Sequence, residues 1–176
     1  MNEEYTEFIN FFKRHNLYNR ETFDYLCKNS IHFDYLDKDK HPYIGYHYLT
    51  NEEGNLSKII LFVPYIDSKQ TILINIHEYI HGIILYNKLG KRYKLGKDAE
   101  ILSFLFEKIY LLEKQDKNLE LFQKNLNKLI SESSPIEYKI ALEAQEEMLQ
   151  YYYDYNPSFV KLEEKAKKLA KRYKSK

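Results

Sequence analysis

Cysteine is nearly missing from this chain: Cys27 is the only one in 176 residues. A disulfide framework within one chain is therefore excluded, which fits a reducing compartment. The same scarcity removes thiolates from the metal-ligand inventory, because Cys27 has no second cysteine near it. It falls in the apolar pattern Phe23, Leu26, Cys27 and reads as a small core residue. Tryptophan is absent, while tyrosine is abundant at 18 residues. Net charge is also lacking: 27 Lys and Arg stand against 26 Asp and Glu, a formal +1. No global field recommends a nucleic-acid partner. Only the segment from Lys161 onward is locally basic, and a solvated helix face is the expected reading there.

Long uninterrupted apolar runs are missing too. The most hydrophobic stretch, Ile72 to Leu85, is broken by Asn75, His77, Glu78 and His81, so no membrane span is expected. The first sixteen residues, MNEEYTEFINFFKRHN, start acidic and contain no continuous apolar core of a signal peptide. A soluble, cytoplasmic protein is the expectation. No repeat, linker or low-complexity tract is evident.

What is present is a succession of short periodic segments. Apolar spacing predicts helices over 3–15 and 21–28. The charged stretch 34–40 and Pro42 exclude helix there. Aromatic-rich YIGYHYLT, from Tyr43, and apolar Lys58 to Pro64 read as two strands paired as an antiparallel hairpin about the turn residues 51–55. Asp67 or Ser68 can cap a helix over about 70–89, with Gly90 just past its end. Asp98 can cap the next helix, to about Lys114. Helical patterns over 119–131, 135–153 and 158–173 follow, with Pro135 at a first helical position.

The chemistry is concentrated in His77-Glu78-Tyr79-Ile80-His81, an H-E-x-x-H motif. Residues four apart on a helix stand one turn above each other, so His77 and His81 can offer two nitrogens to one Zn²⁺. Glu78 lies beside them and can reach a water held by the metal without being a ligand, as a general base does. A third ligand must come from elsewhere. Glu100, with eighteen residues between it and His81, is the obvious donor. Glu107, two turns further along the same face, could replace it or accept a hydrogen bond from a ligand histidine. Ser103, one turn after Glu100, could also bond a ligand.

This motif, its gap and the later glutamate resemble the gluzincin metallopeptidases, in which both histidines and the glutamate bind zinc. The size and element order look like small gluzincin cores, including the IrrE/ImmA-type metallopeptidases. Glu100-x-x-Ser103-x-x-Phe106 is similar to their third-ligand helix. The resemblance spans about residues 43–112. It implies zinc at His77, His81 and Glu100, with Glu78 as base, and an edge strand near the active-site helix that binds substrate in extended form. The expected fold is α+β, mostly α: a zincin-like helical core with one small antiparallel sheet beside the active-site helix. A single domain over 1–176 is expected, its core about 43–112 and its C-terminal helices about 117–175.

A peptidase also needs a donor for the oxyanion of its tetrahedral intermediate. Tyr152 and Tyr155, in a tyrosine cluster, and His47, on the hairpin, are the candidates. His15, His32 and His41 have no spacing relation to the motif and read as surface or core residues. The reading is thus a zinc-dependent metallopeptidase acting on a peptide or protein, with neither nucleic acid nor membrane as partner. The alternative is a non-catalytic, zinc-stabilised regulatory or interaction module.

Overall fold

Ser68 begins the helix on which the rest of the N-terminal half is built. Its hydroxyl accepts from the Thr71 N–H at 3.2 Å, and its own N–H donates to Thr71 Oγ1 at 3.0 Å. This reciprocal pair satisfies two donors that a helix start leaves open. The computed structural model describes residues 2–35, 44–133 and 135–174. Their element order is α1 (Glu3–Arg14), α2 (Arg20–Lys28), β1 (Ser30–Phe33), β2 (Gly45–Thr50), β3 (Leu56–Pro64), α3 (Lys69–Tyr86), α4 (Lys97–Lys114), α5 (Lys117–Ser133), α6 (Pro135–Tyr155) and α7 (Phe159–Lys174). The fold is α+β and mostly α. Pro42 and His41 lie outside the described residues. The chain forms two compact units, Met1–Leu95 and Gly96–Lys176.

In the first unit, the three strands run in the order β1-β3-β2. β2 and β3 are antiparallel, the hairpin the strand pattern predicts, with Tyr46 opposite Leu61 and Tyr48 opposite Ile59. The sheet as a whole is mixed, because β1 pairs with β3 in parallel, Ser30 opposite Leu61. That corrects the expectation of a purely antiparallel sheet. Four residues, SIHF, carry too little alternation to announce a strand. Their pairing is decided by the neighbouring β3 backbone, and the Tyr65 N–H closes it by donating to the Phe33 carbonyl at 2.8 Å.

Every residue of α3 from Thr71 to Leu85 is buried, as expected for a helix apolar on nearly all sides. Gly82 permits its close seating. A Cβ there would meet the Leu26 methyls at 2.9 and 3.0 Å and a Leu61 methyl at 3.3 Å. Asn75 ties the helix to the end of β3, its Nδ2 donating to the Pro64 carbonyl at 3.0 Å. On another side, Phe8 meets Tyr79 edge-on at 5.0 Å, and Phe12 meets Phe23 likewise at 5.0 Å. Such edge-to-face pairs add to the gain from burial. Cys27 is half-buried and its Sγ lies 3.3 Å from the Tyr79 hydroxyl. Burial, with that thiol alongside, pushes the Tyr79 phenol far above its ordinary range.

The C-terminus of α3 comes earlier than its pattern suggests, with Asn87 as cap. Gly90, at φ +76°, turns the chain back instead. Its N–H donates to the Leu56 carbonyl, and the Lys91 carbonyl accepts from Leu56, at 2.8 and 2.9 Å. The connector thus bonds to the start of β3, and these backbone bonds outcompete another helical turn.

In the second unit, α4 is the buried helix, with Ile101 to Glu107 all inside. Its N-cap is Gly96, with no side-chain capping bond. Asp98 is therefore not the cap. It lies within the first turn, where a carboxylate still complements the positive end of the helix dipole. α6 and α7 are joined by Glu147, which accepts from Lys165 Nζ at 2.5 Å and Arg172 Nη1 at 2.6 Å. The Lys165 hydrogen bond, with help from the charges of Lys165 and Arg172, holds the Glu147 carboxyl below its usual range. A carboxylate with a lowered folded-state pKa stabilises the fold above its unfolded pKa and loses that contribution as pH falls through the folded value. Glu147→Gln should therefore cost about 0.5–1 kcal/mol at neutral pH, solvent screening limiting the effect. Urea titrations should show the gap to wild type closing in acid. A gap that persists with all carboxyls protonated would refute the electrostatic origin.

Candidate metal centre

α3 brings its two histidines together without outside help. His77 and His81 are one turn apart, their Nε2 atoms 3.1 Å from each other. Both are buried, His81 to 1% exposure. Two Zn–N bonds of about 2.0–2.1 Å at a tetrahedral angle would set the nitrogens about 3.3 Å apart, so the pair is near the spacing a single ion imposes. Two imidazoles facing each other at that distance cannot both present a proton inward. At least one nitrogen must face its partner as a lone pair, the form in which imidazole ligates a metal.

Glu78 is also buried, at 7% exposure. It stands three positions before His81, on an adjoining part of the helix surface. An ionised carboxylate inside an apolar helix is costly unless a cation or strong donors compensate it. A dication at the histidine pair would be such compensation.

Glu100 lies half-buried in the first turn of α4. Among the described residues, His77, His81 and Glu100 each offer one ligand atom, and these atoms fall within 4.8 Å of one another. Two imidazole nitrogens and one carboxylate oxygen match the donors of a catalytic zinc position, which keeps a fourth place for solvent or substrate. The donor set fits the ion that the motif implies.

The remaining candidates are placed as follows. Glu107 is buried to 1% exposure, and its Oε2 accepts a hydrogen bond from Gln123 Nε2 on α5. Ser103 is fully buried one turn earlier on α4. Tyr152 is buried on α6, edge-on to Phe106 at 6.0 Å, and burial raises its pKa. Tyr155, at the end of α6, is 71% exposed and leans on Tyr151 at 5.2 Å. His47 is exposed on β2. His15 and His32 are half-buried, His15 against the Phe11 ring at 4.5 Å and His32 stacked on Tyr65 at 5.6 Å.

Two residues near these groups escape a reading of the sequence. Gln123 has no motif; only its recurrence on the apolar side of α5 hints at burial. Tyr46 stands with its ring 5.1 Å from that of His81. The period-two pattern of β2 sets Tyr46 and Tyr48 apart from His47, but does not say which set faces the helix.

Compared with family models, with curated proteins and with solved structures, the chain finds no match. No helix among the described residues is long and apolar enough to cross a membrane.

Proposed function

We propose that this chain is a zinc-dependent metallopeptidase of gluzincin type, with His77, His81 and Glu100 as metal ligands and Glu78 as general base. The observation that carries the reading is the buried histidine pair, 3.1 Å apart between Nε2 atoms, with a carboxylate on the same helix that the metal set does not use. When bound, zinc supplies Lewis acidity at the scissile carbonyl and lowers the pKa of water from 15.7 to about 7.

The chain's own residues do the rest. His77 and His81 present unprotonated nitrogens, held in place by the rigid turn of α3. Glu78 accepts the proton that the attacking water gives up as its oxygen bonds to the carbonyl carbon. It then delivers that proton to the amine nitrogen as the C–N bond breaks. Glu78 is buried beside the histidine pair on the same helix, so it can act there without being a ligand. A metal site serving structure alone generally takes four protein ligands and needs no such carboxylate.

Metal analysis and a peptide-library digest test the reading together. Purified protein should hold about one Zn²⁺ per chain, and chelation should abolish cleavage, with zinc restoring it. A zinc-loaded protein that cleaves no member of a broad library would favour the interaction-module alternative.

A further inference from the structure

The sheet has one core face, set by β3. Ile59, Leu61 and Val63 are fully buried there, and Gly82 of α3 seats against Leu61. Cross-strand partners share a face. Tyr46, opposite Leu61, and Tyr48, opposite Ile59, therefore belong to the same face as α3, whereas His47 and Leu49 point the other way. Unlike their partners on β3, both tyrosines remain half-exposed. Their rings are nearly parallel, 10° apart in plane with centroids at 6.4 Å. The nearer ring, that of Tyr46, adjoins His81 at 5.1 Å. The core face thus ends, beside the histidine pair, in an aromatic surface still open to solvent.

We propose that Tyr46 and Tyr48 form a shelf that binds an apolar side chain of the substrate next to the bond to be cut, and so determine specificity. The proposal rests on the peptidase reading. Phenol rings offer large, stiff apolar faces, and an aliphatic or aromatic side chain gains by covering them. A small polar or acidic side chain gains nothing there. Tyr46 touches a proposed metal ligand, so its replacement would disturb two things at once. Tyr48 lies one pleat further away and separates them.

The test uses the full-length, zinc-loaded protein and a series of dipeptide hydroxamates that differ only in one side chain: phenylalanine, leucine, serine or aspartate. Binding is measured by calorimetry, with zinc content determined on each sample. In wild type, the phenylalanine and leucine compounds should bind about tenfold tighter than the serine one, a typical margin for an apolar subsite. Tyr48→Ala should bring that ratio close to one, with zinc content and affinity for the serine compound unchanged. Tyr48→Phe should keep it, since the ring and not the hydroxyl matters. Tyr48→Thr, a better strand former than alanine, serves if Tyr48→Ala folds poorly. Equal affinities in wild type, or a ratio that survives loss of the Tyr48 ring, would overturn the shelf. So would a failure of every hydroxamate to bind zinc-loaded protein. Peptide cleavage without apolar preference beside the cut defeats the shelf and leaves the peptidase reading standing. A tenfold ratio in a protein that cleaves nothing does the reverse.

Discussion

Glu78→Gln is expected to lower peptide hydrolysis by about 10²–10⁴-fold, the usual contribution of a positioned general base, while leaving zinc in place. The reason lies in what the substitution preserves. Glutamine has nearly the shape of glutamate and can still accept one hydrogen bond, but its amide cannot take a proton from water at neutral pH. Glu78 is buried in a helix whose other neighbours are mostly apolar, and glutamine fills the same space, so the substitution should not unfold the chain. Melting temperature should therefore stay nearly level. Measurement of kcat, zinc content and melting temperature on the same preparation separates these effects. Hydrolysis that survives at the wild-type rate would remove Glu78 from the mechanism, and loss of metal would recast it as a ligand.

The second large effect is on metal affinity. His77→Ala and His81→Ala should each weaken zinc binding by more than about 100-fold, beyond the 10–100-fold typical of residues that only support a ligand. Each loses one of the two nitrogens that α3 sets 3.1 Å apart, and alanine offers no donor in exchange. Glu100→Ala should behave similarly. Glu107→Ala should not, because the Glu107 carboxylate is engaged by Gln123. Its loss would leave a buried amide without its acceptor, costing about 1–3 kcal/mol of stability, with zinc affinity changed by no more than the supporting range. Competition titrations against a chelator, with urea melts alongside, distinguish the two kinds of loss. Should Glu107→Ala empty the protein of zinc and Glu100→Ala spare it, the third ligand is misassigned.

The sequence by itself determined the parts of this protein that depend on near neighbours along the chain. A helix spaces its residues by a fixed geometry, so His77, Glu78 and His81 could be placed relative to one another from their positions alone. A cap at Asp67 or Ser68, of which Ser68 is the one used, Pro135 as the first residue of α6 and the β2–β3 hairpin rest on equally local chemistry. What only the tertiary structure decided involves partners far apart in sequence. β1 is a strand because β3 offers it a backbone to pair with, and four residues cannot signal that unaided. α3 ends at Tyr86, short of the end near 89 that its periodicity predicts, and the connector beyond it bonds through Gly90 and Lys91 to Leu56. For Glu107 the sequence allowed a place as third ligand or as acceptor for a ligand histidine. Its hydrogen bond from Gln123, sixteen positions on, could not be read from the sequence. On β2, alternation separates Tyr46 and Tyr48 from His47, yet both sets are polar-tipped and neither is marked as inward by composition. Pairing with the fully buried Leu61 and Ile59 turned the tyrosines toward α3, because cross-strand neighbours must share a face.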